Sequence, residues 1–338
     1  MKIGLSYDLK EKIAPGQSVP EDAFEEYDSP ETVAGLTAAI EAQGHSVVRL
    51  GGGREFLVNI LHESVDFVFN IAEGRGTYRS REAQVPSVLE MLNIPYSGAD
   101  PQCLAICLDK PLTKKLVALA GVATPKEQVI TDIKQLKALK PDALPLPAFI
   151  KPIHEGSSMG VRLGSRVETP AQAAEVAARL LEHYRQPVMA EEFIAGDEVT
   201  VGLVGNPPQV LGIMRILPKQ KMPYFAYSLE VKRDWENLVE YECPARLDAR
   251  ILDKISDSSF KAFEVLGCRD FARVDFRLGA DGTPYFLEIN PLAGLNPKSS
   301  DLVIMARKMG WTYEALISTI LDAALARYQR ANQSSHRL

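Results

Sequence analysis

The chain has four cysteines in 338 residues, and none of them stands in a CxxC pair. That scarcity argues against a disulfide scaffold, so the expectation is reduced thiols. Cys103 and Cys107, four apart on a predicted helix, read as a redox pair or as buried small hydrophobes, with burial the better expectation. The five histidines show neither HxH nor HExxH spacing, which excludes the usual zinc and non-haem iron arrangements. A metal, if bound, takes oxygen ligands. There is no long Lys/Arg run, the net charge is -6 and the pI is near 5.6, so nucleic acid is not an expected partner. No segment approaches the roughly 20 apolar residues of a membrane span. The apolar run after Met1-Lys2 is soon followed by Asp8, Lys10, Glu11 and Lys12, unlike a signal peptide, and a cytoplasmic location without membrane association is expected. Internal repeats and low-complexity tracts are also lacking.

What is there is an ordinary globular composition, 46% hydrophobic and 24% charged, long enough for two or three fused cores. The first third alternates strands (Lys2 to Ser6, Ser46 to Leu50, Val65 to Ile71) with a helix from Pro30 to Gln43, the rhythm of a parallel α/β domain. Asp28-Ser29-Pro30-Glu31 reads as that helix's start. The polar loop from Tyr7 to Asp28 is longer than an ordinary βα connection needs, hence functional or mobile. Helical patterns from Pro101 to Ala120 and a proline-rich connector from Pro141 to Pro147 lead into an α+β region of mostly antiparallel strands. Residues 218 to 240 are polar and aperiodic and are expected as a long loop. The end carries a helix from Asp248 to Leu266, two strands and amphipathic helices to about Tyr328.

Three constellations carry chemistry. Phe271-Ala272-Arg273-Val274-Asp275-Phe276 and Tyr285-Phe286-Leu287-Glu288-Ile289-Asn290 read as a hairpin across Gly279 to Gly282. Alternation puts Arg273 and Asp275 on one face of the first strand, and Glu288 and Asn290 on one face of the second. Hard oxygens so placed suit Mg²⁺, which shares its coordination with nucleotide phosphates. A surface hairpin with one salt bridge is the weaker reading, because four polar groups interrupt apolar strands. Second, Lys151-Pro152-Ile153-His154-Glu155-Gly156-Ser157-Ser158-Met159-Gly160 sets a lysine on a strand before a small-residue loop able to fold over phosphates. The lysine precedes the glycines, so this is no Walker A loop, and glycine-serine loops are often mere turns. Third, Glu191-Glu192-Phe193-Ile194 with Gly196-Asp197-Glu198 offers acids beside apolar groups, able to hold an adenine and a ribose. In isolation, an edge strand with solvated acids reads equally well.

Together, in this order, these segments resemble the ATP-grasp superfamily and most closely the D-alanine:D-alanine ligase family. The resemblance runs from about Val65 to Tyr328 and includes Glu90 to Gly98 and Leu108-Asp109-Lys110. It implies an α/β chain of the ATP-grasp fold, two α+β subdomains (99–190 and 191–332) clamping ATP, preceded by a Rossmann-like parallel α/β domain (1–98) and followed by a tail (333–338). Lys110, Lys151 and Lys232 would contact ATP phosphates, with Ser157 in a lid loop above them. Glu191, Phe193, Ile194 and Glu198 would line the nucleoside pocket. Asp275, Glu288 and Asn290 would bind two Mg²⁺ ions, Glu288 bridging, with Mn²⁺ as a substitute ion. Arg273 and the backbone N–H of Gly294 would stabilise charge on the reacting carboxyl group. The implied reaction joins a small-molecule carboxylate to an amine through an acyl phosphate, and a homodimer is the implied assembly.

The substrate half departs from the family. The family holds the first substrate's amino group with a glutamate in a loop after the first strand; here the acid is Glu25, Glu26, Glu31 or none, and Glu31 is the candidate taken forward. Lys232 matches a lysine that the family follows with a closing tyrosine, but Arg233 stands in the tyrosine's place. The serine that receives the second carboxylate lies in a stretch that here reads Gly294 to Leu302, two residues longer, with Ser300 and Asp301 at the expected place. An anionic Asp301 would repel a carboxylate. Glu73-Gly74-Arg75-Gly76 and the run Arg79 to Glu82 put unusual charge where the first domain meets the substrate, with Glu73 and Arg79 the candidates taken forward. Three readings therefore stand: a D-alanine:D-alanine-type ligase, a ligase of the same mechanism joining other substrates as in natural-product assembly, and a nucleotide-binding regulatory protein without activity. The complete set of Lys110, Lys151, Arg273, Asp275, Glu288 and Asn290 disfavours the last.

Overall fold

The computed structural model describes residues 1–12, 20–138, 143–220, 222 and 224–335, with side chains to Arg330. Part of the long polar loop (13–19), the start of the proline-rich connector (141–142) and the end of the expected tail (336–338) lie outside the described residues.

Strands β1 (Lys2–Ser6), β2 (Ser46–Gly51) and β3 (Phe67–Asn70) form a parallel sheet in the order β2-β1-β3. The helix Pro30–Glu41 begins as its sequence dictates: Ser29 accepts the Thr32 N–H, and Pro30 occupies a first-turn position where a missing N–H costs nothing. Its Val33, Leu36 and Ile40 meet Leu316, Ile317 and Ile320 of the last helix, Tyr313–Ser335, in one core with β1 and β3. The first domain is thereby tied to the chain's end.

Strands β4 (Glu127–Ile130), β5 (Ala148–Pro152), β6 (Arg166–Val167) and β7 (Val188–Glu192) pair antiparallel in the order β4-β7-β5-β6. The helix Pro170–Tyr184, started by a Thr169/Gln172 capping box, covers this sheet with Ala173, Val176, Ala177 and Leu180. Strands β8 (Glu198–Val204), β9 (Gln209–Pro218), β10 (Val239–Glu242), β11 (Phe271–Leu278) and β12 (Pro284–Asn290) form the third sheet, antiparallel in the order β10-β9-β8-β11-β12. The parallel-then-antiparallel α/β expectation holds.

The helical patterns from Pro101 to Ala120 are two helices, Pro101–Leu108 and Lys110–Leu119, broken at Asp109 (φ -87°, ψ 89°). Pro111 has no N–H and would clash with the preceding turn, so the first helix cannot run on; Asp109 starts the second by accepting the Leu112 N–H. The stretch 218–240 is not one loop, since it contains helices Leu229–Arg233 and Trp235–Leu238 and the start of β10. These elements are too short to show a period. Their buried Val231 and Val239 pack on Met214 and Ile216 of β9. Among the described residues no helix is long and apolar enough to cross a membrane.

Candidate active site

The β11/β12 register pairs Arg273 with Asn290 and Asp275 with Glu288. The intervening Ala272, Val274 and Ile289 are buried in the core behind, so alternation turns the four polar side chains to the opposite face. Arg273 donates from Nε to Asp275 Oδ1 (3.0 Å) and from Nη2 to Oδ2 (2.8 Å). Thr200 on β8, the residue paired with Asp275 on its other side, donates its hydroxyl to Oδ1 at 2.6 Å. Glu288 lies 3.9 Å from Arg273 and 3.4 Å from Lys110 Nζ. Burial by itself would raise the Glu288 pKa, but Lys110, Lys151, Lys232 and Arg273 outweigh it and hold the carboxyl at about 2.

Two adjoining cavities open on this face and share Lys110, Glu155, Lys232, Arg273 and Glu288. The first, about 120 Å³, lies between the two antiparallel sheets. From β5 comes Lys151, whose Nζ donates to Glu191 Oε1 of β7 at 2.7 Å. Buried Lys114 pairs with the other Glu191 oxygen. Burial works against a charged Glu191, yet these two lysines keep its pKa below the ordinary value. Phe193 lines the same cavity, its ring packed between Phe149 and Tyr224 and under the Arg277 guanidinium at 4.8 Å. Arg277 also binds the Ile194 carbonyl (3.0 Å) and Glu198 (2.6 Å), so Phe193, Ile194 and Glu198 are fixed by one arginine that the sequence reading did not single out.

The second cavity, about 100 Å³, reaches toward the parallel sheet and takes in Glu73, Ser157, Asn290 and Gly294. Ser157 and Ser158 both have left-handed backbone (φ 47° and 59°), which folds the loop after β5 back over the cavity. Ser158 Oγ anchors it to the Tyr227 carbonyl at 3.1 Å. Gly160 (φ 76°) closes the turn where a Cβ would fall 2.6 Å from the Pro152 ring, and its N–H donates to Asp22. Lys232 lines both cavities, its Nζ 5.0 Å from the Tyr227 ring centroid.

Asp301 lines the first cavity and is buried. Its Oδ1 accepts hydrogen bonds from Tyr227 (3.1 Å) and Tyr241 (3.3 Å), and its Oδ2 lies 3.7 Å from Arg273. Both tyrosines are pushed up in pKa by burial and by this carboxylate, Tyr241 beyond its usual range. They stand as donors.

Four substrate candidates line neither cavity. Glu31 is exposed in the first turn of its helix and pairs with Lys298 at 2.6 Å, lining neither cavity. The loop acid at the second cavity is Glu26, held by Arg81. Arg79 is exposed, 3.9 Å from Asp109. Ser300 turns its hydroxyl to the Asn296 N–H. Arg233 points to the loop after β1, donating to Glu21 (2.6 Å) and Glu25 (2.7 Å). The sequence reading also missed Glu155, Tyr227, Tyr241 and Lys114. The run Arg79 to Glu82 was its one signal for Arg81 and Glu82.

The three buried thiols Cys103, Cys107 and Cys268 lie within 4.8 Å of one another in an apolar core, as small hydrophobes do.

Residues 117–322 match the family model described as the D-ala D-ala ligase C-terminus. The chain is 32% identical over 304 residues to the uncharacterized protein y4sG of Sinorhizobium fredii, covering 87% of each chain. It is 32% identical over 293 residues to the D-alanine–D-alanine ligase of Aquifex aeolicus, covering 87% of this chain and 94% of that one. Among solved structures, the D-alanine–D-alanine ligase from Bacillus anthracis complexed with ATP superposes with a TM-score of 0.75 over 98% of this chain and 99% of the other. At 23% identity that likeness speaks for the fold.

Proposed function

Since the chain belongs to the D-alanine:D-alanine ligase family and has its ATP-grasp fold, we propose that it joins a carboxylate to an amine at the expense of ATP, through an acyl phosphate. A carboxylate oxygen of the first substrate attacks the γ-phosphorus, the bond to the β-phosphate oxygen breaks and ADP leaves. The amine nitrogen then attacks the activated carbonyl carbon, the C–N bond forms, and inorganic phosphate departs with the former carboxylate oxygen while the nitrogen loses a proton. The first step needs alignment and charge neutralisation rather than a protein nucleophile, and the second needs donors for a developing oxyanion.

The observation that carries this reading is the convergence of Arg273, Asp275, Glu288 and Asn290 with Lys110 and Lys151 on one cavity face between two antiparallel sheets. Lys110, Lys151 and Lys232 suit ATP phosphates, and the Ser157 loop suits a lid over them. Glu191, Phe193, Ile194 and Glu198 suit the nucleoside. Asp275, Glu288 and Asn290 are a hard-oxygen set that fits Mg²⁺, read as two ions sharing Glu288, with Mn²⁺ able to replace them. Magnesium there would supply positive charge to the phosphates during transfer. Arg273 and the Gly294 N–H would meet charge on the reacting carboxyl group.

A second reading concerns the amine. Asp301 brings a carboxylate to the side of the cavity nearest Arg273, which favours an acceptor without a free carboxylate at that point over D-alanine. The division into units 1–98, 99–190 and 191–332 with a tail, a cytoplasmic location and a homodimer belong to the same proposal. Leu57, Val58 and Leu61, exposed along the helix Gly53–His62, support the last. The test is ADP and phosphate release over D- and L-amino acids and simple amines with product masses determined. Release that depends on both a carboxylate and an amine supports the reading, and ATP binding without turnover in any combination contradicts it.

A further inference from the structure

The second cavity is polarised. Arg273, Lys110 and Lys232 stand at the end it shares with the first cavity, and Glu26, Glu73 and Glu82 line it toward the parallel sheet. Glu26 is spoken for: Arg81 grips it from Nε (2.9 Å) and Nη2 (2.7 Å) and turns Nη1 to the His154 carbonyl (2.8 Å). Glu73 and Glu82 are brought together by a close backbone crossing, because Gly74 (φ 83°) lies where a Cβ would be 2.0 Å from the Arg81 carbonyl oxygen. Glu82 is 9% exposed, and among the described residues no hydrogen bond or ion pair reaches its carboxylate or that of Glu73. A buried acid without a partner is costly, and such a cost is kept where a ligand relieves it.

We propose that Glu73 and Glu82 form a receiving site for a cationic side chain of the carboxylate substrate, making that substrate an amino acid with a second positively charged nitrogen group. The inference rests on the ligase reading and names the substrate class of its first half-reaction. The pairing of Arg81 carries it. Glu26 and Glu155 both draw on Arg81 (2.7 and 3.3 Å), which leaves Glu73 and Glu82, among the described residues, without a cation in hydrogen-bond reach, and a neutral amino acid offers one ammonium. A dibasic amino acid offers two, with its carboxylate directed to Arg273 at the other end. Burial raises the pKa of both acids, Glu82 to about 8, and a cation bound beside them would lower it again.

The test is kcat/KM for ADP release, with one amine acceptor held constant, over pairs matched in shape and differing in side-chain charge: arginine against citrulline, ornithine against norleucine, lysine against 2-aminoheptanoate, each as D and L forms. The expected result is a preference of about tenfold or more for the basic member. Glu82→Gln and Glu73→Gln, shown by circular dichroism and MgATP binding to be folded, raise KM for the basic substrate and shrink its advantage over the neutral partner. Neutral members turned over as well as basic ones, or an undiminished advantage in both variants, overturns the inference while leaving the ligase reading intact. No ADP release with any carboxylate overturns both.

Discussion

Asp301 Oδ2 lies 3.7 Å from Arg273 Nη1, so the arginine proposed to meet the reacting carboxyl group already has an internal carboxylate beside it. Tyr227 and Tyr241 hold that carboxylate in place from its other oxygen. Asp301→Ser removes the charge and leaves a hydroxyl. We expect the wild-type protein to discriminate against amines bearing a carboxylate by about ten- to a hundredfold, the cost of leaving a buried charged group unpaired. The variant loses most of that discrimination. Acceptor kcat/KM for D-alanine against its amide measures it, and D-alanine as the best wild-type acceptor would refute the role given to Asp301.

Glu288→Gln and Asp275→Asn each lower kcat by about 100-fold or more, because charge stabilisation is lost at the reacting phosphate. These acids do not repel each other unopposed: Asp275 is gripped by Arg273 and Glu288 is surrounded by cations. Neutralising Glu288 therefore destabilises the protein at neutral pH without added nucleotide or metal. Its folded pKa, about 2, lies below the ordinary 4.5, so its contribution is full above 4.5 and is lost as pH falls toward 2. The shift corresponds to roughly 3 kcal/mol. Urea unfolding at pH 7 and pH 3 checks the sign: the gap between wild type and Glu288→Gln narrows in acid. Equal stability at both pH values would refute it.

How much of this was legible in the sequence depends on range. The hairpin face of Arg273, Asp275, Glu288 and Asn290 was readable because polar residues at every second position interrupt two apolar strands. The clamp on Glu26 was not, since Arg81 lies 55 positions away and comes near only through the crossing at Gly74. Glu25, Glu26 and Glu31 could not be told apart as the substrate acid by sequence, and the first-turn position of Glu31 turns it outward to Lys298. Tyr227 reaches Asp301 from the stretch read as a loop and Tyr241 from just after it, on the short strand β10, where short buried elements leave no periodic trace.

Lys114 is a buried lysine with no charged role in the sequence reading, and it shares Glu191 with Lys151. Lys114→Met leaves one lysine to offset a buried carboxylate and costs roughly 3 kcal/mol of stability. ATP affinity falls with it if Glu191 moves. Denaturant midpoints and MgATP calorimetry report the two effects separately. A variant as stable as wild type would show that Lys151 alone suffices.

Arg233 ties the helix Leu229–Arg233 to the loop after β1 through Glu21 and Glu25. These are exposed pairs, so Arg233→Ala changes global stability by less than about 1 kcal/mol. The loop should be freed locally, seen as faster proteolysis between β1 and the helix Pro30–Glu41 and as a higher KM for the carboxylate. Unchanged proteolysis would refute a fastening role.

The ligase reading is tested most directly by following oxygen. With a carboxylate substrate labelled with ¹⁸O in both oxygens, MgATP and an accepted amine, each inorganic phosphate released should carry one ¹⁸O atom, since the oxygen that attacks the γ-phosphorus leaves with the phosphate. Turnover that releases phosphate free of label would contradict the acyl-phosphate route and with it the function proposed for Arg273, Glu288 and the lysines around them.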